Sequence, residues 1–204
     1  MQLWFTSDWH FDHENIWRRF KVPCPACKGV GMLDLDLDPR YCSTCKTKGE
    51  VPARPFTSTA QMNDTIIENI NALVKPEDHL YCLGDVAMKP SGLRQVSKIT
   101  CRNLRLVFGN HDVKWEACHK AGFKKIMAYR VIDNILFSHI PVHPGSMGRF
   151  RANVHGHTHS QPSYPPTKSG EMVQPYLNIS VEQTDYKPVS LGWIIKRIND
   201  LGGA

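Results

Sequence analysis

The chain has 204 residues, 41% of them hydrophobic, enough to bury one substantial core but not a string of independent domains. No run approaches the ~18 apolar residues of a membrane span, and no basic start with an apolar stretch marks a secretory leader, so a soluble, cytoplasmic protein without membrane partners is expected. The net charge of +6 comes from small scattered groups of Lys and Arg, which favours anionic ligands but lacks the continuous positive path of a typical nucleic-acid groove.

In chain order, Leu3–Ser7 reads as a buried strand ending at Asp8-x-His10. Residues 22–55 then have the texture of an insertion, with many Pro and Gly, no long apolar run, and the pairs Cys24-x-x-Cys27 and Cys42-x-x-Cys45. Fourteen residues separate the pairs, a spacing close to zinc ribbons. Two disulfides compete with this reading, but a reducing compartment keeps thiolates available, so one structural zinc is expected on Cys24, Cys27, Cys42 and Cys45. The insertion closely follows the Asp8/His10 loop, and a lid, an ornament and a dimer contact are all compatible with that place.

Ser58-x-x-Gln61 reads as a capping box, and Met62, Ile66, Ile70 and Leu73 recur at helical spacing until Lys75-Pro76 ends the helix. A strand at Leu80–Leu83 runs into Gly84-Asp85, and a short helix over 93–99 precedes a strand at Leu104–Phe108 that runs into Gly109-Asn110-His111-Asp112. A helix over 113–120 follows, for which Asp112 is a candidate N-cap. Strands at Ile135–Ser138 and Ala152–His155 deliver His139 and Gly156-His157-x-His159. Residues 160–175, carrying Pro162, Pro165, Pro166 and Pro175, read as a loop before terminal strands at 176–181 and 191–195. The alternation of strands and helices predicts an α/β layered domain spanning 1–204, with 22–55 inserted in it.

Five strands that each end in a metal-binding side chain can bring those side chains together, because loops beyond the carboxyl ends of strands hold residues on a rigid scaffold. The ordered set Asp-x-His, Gly-Asp, Gly-Asn-His-Asp, a lone His and Gly-His-x-His resembles the calcineurin-like metallophosphoesterases over roughly residues 1–20 and 56–195. The frame from Ser7 to Ile16 and Asn178-Ile179-Ser180-Val181 look like small bacterial and bacteriophage-encoded members. The resemblance implies a layered αββα sandwich and two divalent transition metals. One would be held by Asp8, His10 and His159, the other by Asn110, His139 and His157, with Asp85 bridging. It implies a metal-bridging hydroxide as nucleophile. His111 would protonate the leaving group or touch the phosphoryl oxygen, oriented by Asp112.

The nitrogen and oxygen ligands suit Mn, Fe, Zn, Co or Ni, with Mn favoured. The expected reaction is hydrolysis of nucleotide phosphodiesters, including 2',3'-cyclic nucleotides. The alternatives are nucleic-acid end processing, phosphomonoester hydrolysis and a non-catalytic scaffold. His13 and His143 lie close to ligand residues, and Arg149 and Arg151 lie between two ligand motifs, so these four are candidate substrate contacts. Monomer and homodimer both remain open.

Overall fold

Short apolar runs broken by turn residues fold into a mixed α/β arrangement of several sheets with helices beside them. The computed structural model describes residues 1–24, 26, 28–29, 32–33, 40–42, 44–46, 48–161 and 175–202. Cys27 lies outside the described residues, as do Pro25, Gly31, Pro39, Pro162, Pro165 and Pro166.

The elements in order are β1 (Leu3–Thr6), α1 (Glu14–Arg18), β2 (Lys21–Pro23), β3 (Met32–Leu33), β4 (Arg40–Tyr41), β5 (Glu50–Pro52) and α2 (Thr59–Leu73). Next come β6 (His79–Cys82), α3 (Pro90–Leu93), which continues as the 3-10 turn Arg94–Lys98, β7 (Asn103–Val107) and α4 (Trp115–Ala121). The chain then forms β8 (Lys125–Met127), β9 (Tyr129–Ile132), β10 (Ile135–Ser138), β11 (Ala152–His155), β12 (Tyr176–Asn178), β13 (Val189–Ser190) and α5 (Leu191–Asp200). Two compact units result: Met1–His13 with Ala60–Ala204, and Glu14–Thr59. The smaller unit extends on both sides of the 22–55 stretch.

The larger unit contains two sheets. One has the order β13-β1-β6-β7-β8, in which β1, β6, β7 and β8 run parallel and β13 is antiparallel. The other has the order β12-β11-β10-β9, with β10, β11 and β12 parallel and β9 antiparallel. Phe5 of the first sheet stacks on Phe137 of the second at 4.4 Å and on Tyr81 at 5.0 Å. These rings belong to one apolar cluster with Leu83, Val107, Ile135, Val154, Leu177, Ile194 and Ile198, so both sheets and α5 share a core. Strands buried in this way carry near-continuous apolar runs, and all four residues of β10 and of β11 are buried.

In the smaller unit, β2 pairs antiparallel with β5, and β3 with β4. Trp17 donates from its indole to Thr59 Oγ1 at 3.0 Å, and the amide of Cys24 donates to the carbonyl of Gly49 at 2.7 Å.

Four expectations change. Leu191–Ile195 is helical, not a strand, because Ser190 caps the helix by accepting the Trp193 amide at 3.2 Å and Ile194 and Ile198 recur at i, i+4 on the buried face. The segment expected as a helix over 93–99 starts earlier, at Pro90, and turns 3-10 from Arg94. α4 begins at Trp115 with Lys114 as its N-cap, so Asp112 does not cap it. In α2, Leu73 is exposed while Val74 completes the buried series Met62, Ile66, Ile70 at four-residue steps.

Candidate metal centre

Every predicted ligand lies just beyond the carboxyl end of a parallel strand. Asp8 and His10 follow β1, Asp85 follows β6, Asn110 follows β7, His139 follows β10, and His157 and His159 follow β11. Two groups result whose ligand atoms lie within 4.8 Å of one another and could each hold a metal ion. One is Asp8, His10 and His159, and the other is Asp85, His139 and His157.

Asp85 faces both groups. Its Oδ2 lies 3.5 Å from His10 Nε2 and its Oδ1 lies 3.4 Å from His139 Nε2. Oδ1 also accepts the amide of His111 at 2.9 Å, whereas Oδ2 is buried with no hydrogen-bond donor among the described residues. His139 Nδ1 faces the carbonyl of Leu83 at 2.7 Å, so Nδ1 is the donor and Nε2, which points inward, is the nitrogen left to bind a metal. Nε2 lies 2.8 Å from Asn110 Oδ1. The buried Asp85 and His139 thus meet an exposed amide oxygen, a donor set of imidazole, amide oxygen and carboxylate that suits a divalent cation.

The backbone is bent to make this arrangement. Asp8 (φ 60), His10 (φ 50), Asp85 (φ 56), His157 (φ 67) and His159 (φ 50) all occupy the left-handed region, which costs a non-glycine residue on the order of 1–3 kcal/mol. Such conformations persist only when the surroundings over-determine them. The His157 amide donates to both Asp8 oxygens at 3.0 and 3.1 Å, and Ser7 Oγ donates to the Leu83 carbonyl at 3.0 Å. A Cβ at Gly156 would overlap Ser7 Oγ and Asp8 Oδ2, so only glycine lets the β11 loop approach β1 this closely.

Electrostatics point the same way. Burial raises the Asp8 carboxyl above its usual range, opposed chiefly by His159. Burial first, then neighbouring His139, lowers His157, favouring the neutral ring that a metal ligand requires. His155, buried beneath the same edge, is driven down to about 4, chiefly by burial.

Asp112 takes a different place from the expected one. Its carboxylate accepts the amides of Gly109 (2.8 Å), Asp85 (3.1 Å) and Val86 (2.7 Å), stitching the β6 and β7 loops together rather than contacting the His111 ring. Burial raises it to about 6 against the pull of the Gly109 and Val86 amides. His111 is exposed, its ring 5.9 Å from that of His10.

The candidate substrate contacts divide. His13 is half-buried, with its ring 5.5 Å from His10. His143 accepts the Gly145 amide and caps the turn Pro144–Ser146. Arg149 is exposed, its guanidinium 5.9 Å from the ring centre of Phe150. Arg151 bonds the Asp133 carbonyl at 3.2 Å and Asn199 at 3.4 Å, at the amino end of β11. The ligands follow its carboxyl end, so Arg151 stands at the opposite end of the four-residue strand from them.

Several supporting residues escape sequence reasoning. Asn178 donates to Thr158 Oγ1 and to the carbonyls of His159 and Gln161 while accepting from Ser180. Asn153 holds the His139 loop through Ser138 Oγ and the Val142 amide, and Glu182 faces His159. Asn178 belongs to the quoted Asn-Ile-Ser string, but no spacing marks Glu182 or Asn153.

In the smaller unit, the sulfurs of Cys24, Cys42 and Cys45 lie within 4.8 Å of one another, all three buried, and could also hold a metal ion. Cys24 and Cys42 sulfurs are 3.8 Å apart, hydrogen-bonding distance for sulfur, and neither is in a disulfide. Among the described residues no helix is long and apolar enough to cross a membrane.

No family model matches the chain. It is similar to the uncharacterized protein MJ1445 of Methanocaldococcus jannaschii, 28% identical over 209 residues that cover 97% of this chain and 91% of that protein. The crystal structure of a protein of unknown function from Aquifex aeolicus, AQ665, is similar with a TM-score of 0.56 and 25% identity, covering 96% of this chain and 98% of that one. Neither name carries an activity.

Proposed function

We propose that the chain is a dinuclear-metal-dependent phosphodiesterase of the calcineurin-like metallophosphoesterase kind, built on an αββα sandwich and acting on nucleotide phosphodiesters. The observation that carries the reading is Asp85, a buried carboxylate with one oxygen toward each of two ligand groups. Asp8, His10 and His159 would hold one divalent ion, and Asn110, His139 and His157 the other, with Asp85 shared. Bound there, such ions neutralise phosphoryl charge and lower the pKa of water. Hydrolysis adds the elements of water across a P–O bond, so the leaving alkoxide needs a proton. His111 is exposed at the mouth of the β7 loop and able to give one. Asp112 serves this chemistry indirectly, by fixing the two loops that carry Asp85 and Asn110.

A substrate with a flat apolar part is favoured by exposed Phe108 and Ile140, which stand beside Asn110 and His139 in the chain. Manganese is the favoured activator, and the cysteine group favours zinc. Four thiolates at about 2.3 Å from one ion lie about 3.8 Å from each other in a tetrahedron, and Cys24 and Cys42 sulfurs are spaced at 3.8 Å.

The test is Mn2+-dependent hydrolysis of bis-p-nitrophenyl phosphate beside p-nitrophenyl phosphate, with Asp85→Ala as the blank. Diester turnover that vanishes in the variant is expected. Metal binding without turnover of either ester would favour a scaffold or a highly selective enzyme over a general phosphodiesterase.

A further inference from the structure

Glu182 stands in the 3-10 turn Val181–Gln183, just past the bridge that joins Ser7 to Ser180. Its side chain is only 4% exposed, and Oε1 lies 3.0 Å from His159 Nδ1. A carboxylate can only accept, so Nδ1 carries the hydrogen and the ring's lone pair is left at Nε2. On either side of Glu182 in the chain, Asn178 and Gln183 donate to the His159 carbonyl at 2.8 and 2.9 Å. One short segment therefore grips the residue at both ring and backbone, where φ of +50 would otherwise relax. The other group is oriented differently, since His139 is held by the neutral carbonyl of Leu83.

We propose that Glu182 is a positioning residue for one metal only, holding His159 in the tautomer and direction required by the ion shared with Asp8 and His10; this rests on the two-metal reading above. The carboxylate fixes the ring and raises its basicity, and loss of such a partner typically weakens metal binding by about 10–100-fold. Glu182 bonds His159 and acts electrostatically on Asp8, both in the group with His10, so its loss acts on that ion and spares the one beside His139 and His157.

The experiment is a calorimetric titration of Mn2+ into the full chain with its cysteine group already loaded with Zn2+, for wild type, Glu182→Ala, Glu182→Gln and His159→Ala. Wild type takes up two ions. Glu182→Ala weakens one step by about 10–100-fold and leaves the other in place, and the weakened step is the one that His159→Ala abolishes. Glu182→Gln keeps an acceptor for Nδ1 without the charge and recovers part of the loss. It also carries the test if circular dichroism shows the alanine variant to be unfolded. Equal weakening of both steps, or none in folded variants, would overturn the assignment while leaving the two-metal reading intact. Failure of the wild type to bind a pair of ions would overturn both.

Discussion

At the scale of single residues, His111 and Asp112 are neighbours in sequence with opposite jobs. His111 contributes only its amide to the Asp85 carboxylate and keeps its ring exposed, so His111→Ala retains both ions and slows turnover on the order of 10²-fold or more. Asp112 accepts three backbone amides, and Asp112→Ala leaves them unmatched at about 1–3 kcal/mol for each that water does not reach. Urea denaturation of the metal-free variants checks the contrast: a lower midpoint for Asp112→Ala and an unchanged one for His111→Ala. The residue types of the Gly-Asn-His-Asp string identify a site but cannot show where a carboxylate points. The string suggests a carboxylate turned toward His111, whereas the structure turns Asp112 toward the amides of a loop 26 residues away in sequence.

At the scale of elements, what mattered was how strands end. The five ligand-bearing strands and the residues just after them are legible because apolar runs stop abruptly at polar side chains, and all five lie within a residue or so of the expected bounds. The strands β8 and β9 leave no mark in the sequence, since Lys125–Met127 and Tyr129–Ile132 are half-exposed and too short to show a period. α5 reads as a strand in the sequence for the opposite reason: its first five residues are mostly apolar, and only Ile198, one turn further, reveals the helical repeat. The close approach of the β11 loop to β1 gives this scale its prediction. Gly156→Ala must push its Cβ into Ser7 and Asp8, so both thermal stability and affinity for the ion at Asp8 fall, measured by melting and by Mn2+ titration. A variant with wild-type melting and affinity would show that the loops can separate without cost.

Across the whole molecule, the two kinds of ligand set predict metal content by number. Wild-type protein purified with Zn2+ and Mn2+ should hold three ions per chain by elemental analysis, Asp85→Ala one, and Cys42→Ser two. A Cys42→Ser protein that also lost the manganese would show that the cysteine group supports the larger unit's ligands. Composition says nothing of this division, which comes from the positions of the Asp, Asn and His side chains in the larger unit and of Cys24, Cys42 and Cys45 in the smaller one.

Synthesis of the chain sets a clock on these sites. The cysteines from Cys24 to Cys45 leave the ribosome within a few seconds of one another, so an ion can be captured by a short nascent segment. Asp8 emerges earlier still, yet its partner His157 and the supporting Glu182 follow only after most of the chain is made, on the order of ten to thirty seconds later at 5–20 residues per second. Between those moments β1 waits for both of its neighbours, since β6 starts at His79 and β13 at Val189. The Asp and His groups are therefore completed last, and a polypeptide released early would contain the cysteines but neither complete group of Asp and His ligands.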